Sequence, residues 1–335
     1  MTPSAMEGPM RLVRTLVAGL FVTSLAVSQH AGASSGRPAA TPAPRTGAAM
    51  TYDQGQRRIV LFGGEDAAGI FMNDTWTWDG TTWTQMHPGH PPSARAYAAM
   101  AWRDRREVIL FGGFGPNGYL SDTWLWDGRS KVWAEKTVTT HPPATETASI
   151  VLDSAARSLV LFGGDGPRGP RKLTWTWDGA AWTSQSPATS PTKRGSAGFA
   201  YDPSSPRSVL FGGWDGVQAL GDTWTWDGTN WKEVNPTGAP SPRSDVAMAN
   251  DTKDTEIVLF GGYASDGSAQ GDTWRLKGST WTQLQPTTSP PPRWGMGAAY
   301  DKTRQVLLIF GGWDGGASVF GETWAFDGIT WTQRA

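Results

Sequence analysis

Six times along the chain an apolar run ends in two glycines: IVLFGG at Gly64, VILFGG at Gly113, LVLFGG at Gly164, SVLFGG at Gly213, IVLFGG at Gly262 and LLIFGG at Gly312. The pairs recur at intervals of 49, 51, 49, 49 and 50 residues. Short, wholly apolar runs bounded by glycine read as buried strands. Upstream of each lies a run of small and apolar residues, such as RTGAAMTYD from Arg45, RGSAGFAYD from Arg194 and RWGMGAAYD from Arg293. This is a strand poor in bulk. It ends at an Asp-led turn at Asp53, Asp153, Asp202, Asp251 and Asp301, with Arg103 in the second unit. Downstream, DTWTWDGTTW from Asp74 alternates tryptophan with small polar residues, turns at Asp-Gly and starts again at a further tryptophan. Near copies begin at 122, 173, 222, 272 and 322. Asp-Gly tolerates the positive φ of a tight hairpin turn. Each unit therefore predicts four strands.

Self-similarity at a fixed period of this length is the mark of a repeat architecture. A period near 50 with four strands and a di-glycine resembles the kelch repeat, and the resemblance covers residues 45–335. It implies an all-β fold, a six-bladed β-propeller with four antiparallel strands per blade. The blades fall at about 45–94, 95–144, 145–193, 194–242, 243–292 and 293–335. Two features depart from the family. Its usual tyrosine on the third strand is replaced by Trp78, Trp126, Trp177, Trp226, Leu276 and Phe326, and the gap to the next tryptophan is four residues in every unit except the second. DGTTW is also similar to the Asp-box turn of sialidase-type propellers, but its spacing is one residue short and the glycine pairs stay unexplained. The chain enters on a first strand and ends on a fourth at WTQRA, so each blade is expected to be contiguous, with no strand exchanged across the seam.

Tryptophans two apart on the third strand share a sheet face. Trp76/Trp78, Trp124/Trp126, Trp175/Trp177, Trp224/Trp226, Trp274 and Trp324, with Trp83, Trp133, Trp182, Trp231, Trp281 and Trp331 on the fourth strands, are the expected filling between blades. Ala49, Ala99, Ser149, Gly198, Ala247 and Gly297 mark where the inner strands crowd around the axis.

Composition narrows the chemistry. A net charge of −1 gives no reason to expect nucleic-acid or membrane-surface binding. With no cysteine, disulfides, thiolate metal sites and cysteine nucleophiles are excluded. At the start, Arg11 and Arg14 precede the apolar stretch LVAGLFVTSLAV and the small residues AGA at 31–33, which reads as an export signal over residues 1–33. Met10 offers an alternative start to Met1. A Pro/Ala-rich lead-in follows over 34–44, and the mature protein is expected outside the cytoplasm, secreted or periplasmic, and off the membrane.

The first strand starts at an arginine and the second returns to the glycine pair. The arginine end, the loops after the glycines, the start of the third strand and the Pro-rich links therefore belong to one face, where function should concentrate. Five units start with Arg45, Arg95, Arg194, Arg243 or Arg293, and five begin the third strand with Asp74, Asp122, Asp222, Asp272 or Glu322. The third unit lacks both, with Thr145 and Leu173. Joint loss suggests a ring of structural Arg–carboxylate pairs. The other reading is a funnel in which Arg95, Arg194, Arg243 and Arg293 receive an anionic ligand, as arginines on this face do in some kelch relatives. Trp214 and Trp313 follow the glycines directly, Tyr263 holds the same position, and Trp294 follows Arg293. Aromatic residues beside polar groups at a concave mouth suit stacking on sugars.

No catalytic constellation stands out. The copper-radical oxidases that share the kelch scaffold need a Tyr–Cys crosslink, which this chain cannot make. HPGH at 87–90 has no carboxylate near it, and the Trp-Asp-Gly loops lack the ligand density of a calcium site, so no metal and no cofactor are expected. The resulting expectation is an exported, monomeric binding module for a glycan, a small anionic molecule or a protein. The alternative is an enzyme on acidic sugars, an epimerase, mutarotase or lyase, with Tyr97, Tyr119, His90 and His141 as proton carriers.

Overall fold

The computed structural model describes residues 41–104, 107–202 and 204–334. The proposed export signal and most of the lead-in lie outside these residues. Six four-stranded antiparallel sheets follow one another along the chain. In the first blade the strands are Ala49–Asp53, Arg58–Phe62, Thr75–Trp78 and Trp83–Met86, paired in sequence order. The register sets Ala49 against Phe62, Phe62 against Thr75 and Trp78 against Trp83. The other five repeat this order, and the last blade closes with Trp331–Arg334 as its own outer strand. The ring thus shuts without strand exchange, with Ala49–Asp53 packing beside Gly297–Asp301.

The core lies between blades rather than within them. Each hydrophobic cluster joins two neighbours; Trp76, Trp78 and Trp83 of the first blade, for example, pack on Leu308 and Phe310 of the sixth. Of the sixteen strand tryptophans fourteen are buried, and Trp124 and Trp274 are partly buried. Large rings suit this task because the gap between radiating sheets widens outward, and burial of each contributes about 1.5–3 kcal/mol or more. Near the axis the demand reverses. A Cβ on Gly198 would sit 2.6 Å from the Met248 sulfur.

Two closed belts of backbone hydrogen bonds hold the blades in a circle. In the first, the second glycine of each pair donates to the carbonyl of the residue that opens the next blade: Gly64 to Arg95, Gly113 to Thr145, Gly164 to Arg194, Gly213 to Arg243, Gly262 to Arg293 and, across the seam, Gly312 to Arg45. The first glycine of each pair has φ between 65° and 72°. A Cβ there would strike the neighbouring blade; at Gly261 it would lie 2.6 Å from the Arg293 carbonyl oxygen. The glycine pair is therefore a requirement of inter-blade approach. The second belt runs through Gly47, Tyr97, Thr147, Ser196, Asp245 and Gly295. Each of the six donates its N–H to the previous blade's carbonyl at 2.7–3.2 Å, and Gly47 N–H to Gly295 O completes the circle.

Candidate functional site

The arginine that opens a blade is held on all sides. In the second blade Arg95 Nε donates to the Ser93 carbonyl, Nη1 to the Gly112 carbonyl at 3.0 Å and to Asp122 Oδ1 at 2.6 Å, and Nη2 to Asp122 Oδ2 at 2.7 Å. Arg45–Asp74, Arg194–Asp222 and Arg243–Asp272 repeat the bidentate clasp. The same carboxylates accept the indole N–H of Trp76, Trp124, Trp224 and Trp274. Burial works to raise the pKa of these four aspartates. The arginine hydrogen bonds and charge together with the indole bond outweigh it, and all four are lowered. In the sixth blade the longer Glu322 makes one bond to Arg293 at 3.1 Å, leaving Arg293 Nη2 and the Trp324 indole N–H without partners; the Phe320 ring covers the guanidinium at 3.8 Å. In the third blade, where Leu173 replaces the acid, the Trp175 indole N–H is likewise unpartnered.

Above the clasps, the residue after the arginine position pairs with the residue after the glycines in every blade: Thr46 with Glu65, Ala96 with Phe114, Glu146 with Asp165, Gly195 with Trp214, Ser244 with Tyr263, Trp294 with Trp313. This sets Glu65, Phe114, Asp165, Trp214, Tyr263 and Trp313 in a ring around the mouth. Over blades four to six the aromatic members form a continuous arc. Trp214 and Tyr263 have centroids 6.4 Å apart, Tyr263 and Trp294 5.3 Å, and Trp294 and Trp313 5.1 Å. On the other side Tyr97 Oη donates to Glu65 Oε1 at 3.1 Å and Thr147 Oγ1 to Asp165 Oδ2 at 3.3 Å.

Below the ring, the axial channel opens as a cavity of about 210 Å³ whose rim includes the second belt. Four non-glycine belt residues, Tyr97, Thr147, Ser196 and Asp245, have φ of 55–57°. That conformation costs free energy for any residue with a Cβ, and the closed belt holds them in it. Ser244 Oγ donates to Asp245 Oδ2 at 2.7 Å, while burial in the channel pushes the Asp245 pKa up to about 6. Met50, Met100, Ile150, Phe199, Met248 and Ala298 line both this cavity and a second of about 200 Å³ at the opposite end, so an apolar collar divides the channel.

The sequence matches the family model described as the KLHDC2/KLHL20/DRC7 Kelch-repeats domain over residues 32–151 and 228–335, well over half of the chain. The chain belongs to the kelch-repeat family. The structure of YjhT superposes on this kelch propeller with a TM-score of 0.65 over 89% of the chain and 99% of its own, at 15% identity, a likeness of fold. Comparison with curated proteins finds no significant match.

The kelch propeller separates the candidate residues into two sets. Arg95, Arg194, Arg243 and Arg293 are at most 1% exposed and their charge is taken up by carboxylates, so they form the ring of structural pairs and do not line the axial cavity. The aromatic candidates are brought together, but not equivalently. Trp294, 1% exposed, is wedged between Tyr263 and Trp313 as their support, whereas Trp214, Tyr263 and Trp313 are partly exposed. With the arginines buried and paired, the funnel in which they would receive an anionic ligand is not formed. In the third blade's loop the half-buried Arg171 lies within reach of the Asp165 charge, and Arg168 and Lys172 are exposed. His90 and His141 are exposed in links away from the cavity lining. The links themselves pass over the outer rim, where Thr237 N–H donates to the Ser279 carbonyl of the next blade. Sequence reasoning missed the belt residues Thr147, Ser196 and Asp245. Their signal is positional, two residues after the position that holds arginine in five of the six units, but their chemistry varies from blade to blade.

Proposed function

We propose that this kelch propeller is an exported binding module whose ligand is a glycan held over the mouth by the aromatic arc. Kelch propellers act generally as binding or protein-interaction modules. The observation that carries the finer reading is the arc of partly exposed Trp214, Tyr263 and Trp313, which stands over a cavity lined by Thr147, Ser196 and Asp245 without lining it itself. Sugar rings present apolar C–H faces to indoles and hydroxyls to such groups. A cavity of about 210 Å³ takes one sugar ring and leaves the rest of the chain lying across the arc. The buried guanidinium groups argue against a ligand selected for its negative charge, and Glu65, Asp165 and Asp245 favour neutral saccharides over acidic ones. The enzyme reading lacks a convergent arginine among the described residues around the cavity.

The test is a glycan array with residues 34–335, followed by titration of the best oligosaccharide against Trp214→Ala and Trp313→Ala. Each substitution should weaken binding by about 1–2 kcal/mol with little change in melting temperature. Unchanged affinity in both variants, or an array with no neutral glycan among its hits, would overturn the reading. A protein partner would appear as array silence with retained binding to a polypeptide. Light scattering checks the expected monomer.

A further inference from the structure

The seam between the fourth and fifth blades departs from the other five. At those five junctions the outer-strand indole N–H donates to a threonine at the start of the previous blade's third strand: Trp83 to Thr323, Trp133 to Thr75, Trp182 to Thr123, Trp231 to Thr174 and Trp331 to Thr273, at 2.8–3.0 Å. At the sixth junction Trp281 Nε1 and Thr223 Oγ1 are both buried, and neither has a partner. The same seam carries the one non-aromatic residue at the position where the third strand nears its turn to the fourth. Trp78, Trp126, Trp177, Trp226 and Phe326 each lean on their blade's outer tryptophan at 5.1–5.4 Å, whereas the fifth blade has Leu276.

Where the ring is missing there is space. Leu276 lines a cavity of about 430 Å³, twice the size of either end of the axial channel. Its walls also include Val209, Thr223, Thr225, Val234 and Pro236, with the Asp202 carboxylate at one end. Exposed Arg207, Asn235, Gly278 and Ser279 stand at its edge, so it opens on the outer rim between the two blades. Sites for small molecules have volumes of roughly 300–1,000 Å³, mostly apolar walls and a few polar groups that fix orientation. A close-packed fold seldom leaves a void beside a broken buried hydrogen bond, and the other five seams keep the tryptophan-to-threonine bond that this one lacks.

We propose that this seam is a binding site for a small, flat, uncharged aromatic molecule of the indole or phenol kind. Its ring takes the place of the side chain that Leu276 lacks, and its polar atom pairs with the Thr223 hydroxyl. The site is independent of the glycan reading, because it lies between two blades and shares no lining residue with the axial cavity.

Indole and phenol, with cyclohexanol as an aliphatic control, are titrated against the full chain by saturation-transfer NMR and by thermal shift. The expected result is saturation transfer to both aromatic probes, at least threefold weaker transfer to cyclohexanol, and a rise in melting temperature with added indole. Leu276→Trp and Leu276→Phe refill the cavity and should abolish probe binding while raising the melting temperature of the free protein. Thr223→Val should weaken phenol at least threefold and leave toluene unchanged, which keeps the test open if the larger side chains misfold. Trp214→Ala should bind indole as the parent does. Absence of probe binding to the parent, or binding that survives in a folded Leu276→Phe variant, would overturn the proposal.

Discussion

The Arg–Asp clasp of the fifth blade makes a quantitative prediction. Arg243 is 1% exposed and satisfied by Asp272, by the Gly261 and Ser241 carbonyls and by Ser241 Oγ, while Asp272 also accepts the Trp274 indole N–H. Arg243→Ala strips two bonds from a largely buried carboxylate; Asp272→Ala strands a buried guanidinium with no counter-charge. Removing one partner of such a pair costs about 3–5 kcal/mol, and more than one polar group is orphaned in each case. At about 2 °C per kcal/mol for a chain of this size, each single variant should melt about 6–10 °C lower. The double variant should fall short of the sum by about 1.5–3 kcal/mol, because the second deletion removes a group already stranded by the first. Urea unfolding of the four proteins, followed by near-UV circular dichroism, measures the cycle. The same cycle on Arg293 and Glu322, joined by one bond at 3.1 Å, should give a smaller coupling. The lowered aspartate pKa adds a sign. The stabilisation is present above the ordinary carboxylate range and is lost as pH falls through the lowered values, so the Arg243–Asp272 coupling should vanish in strong acid. Additive losses at neutral pH, or a coupling that persists in strong acid, would refute the clasp.

Two further outcomes follow from the belts. Asp245, raised to about 6 by burial, disfavours folding once it ionises, so stability should fall as pH rises from about 4 to about 6. Asp245→Asn should therefore stabilise the protein at pH 7 and make no difference below pH 4; equal effects at both, read by thermal melts, would refute the assignment. Gly261→Ala places a Cβ at φ 68° and 2.6 Å from the Arg293 carbonyl, and should cost more than about 2 kcal/mol, whereas exposed Gly89, with nothing within 4 Å of its Cβ position, should accept alanine within about 0.5 kcal/mol.

Much of this architecture is written in local pattern. The glycine pairs, the small-residue runs and the tryptophan blocks determine strand count, order and blade number, because each blade is one contiguous meander whose pairing is settled by neighbouring segments. The joint absence of arginine and acid from the third unit even marked the clasps, since two groups that serve each other are lost together. What the chain could not disclose is exposure. Arg95, Arg194 and Arg243 and the partly exposed Trp214 and Trp313 all stand within a few residues of the same face in sequence, and only the closed ring decides that the first three are sealed beneath the belts while the two rings reach the rim. The same holds for Trp294, which follows an arginine as an apparent surface residue but becomes the buried wedge between two neighbours from different blades. Leu276 was legible as a departure from pattern. That the departure leaves a cavity rather than a tighter seam depends on whether the adjoining blade moves in to fill it. Two backbone belts that fix all six blades at one spacing prevent that, and such a circular constraint exists only when the last blade meets the first.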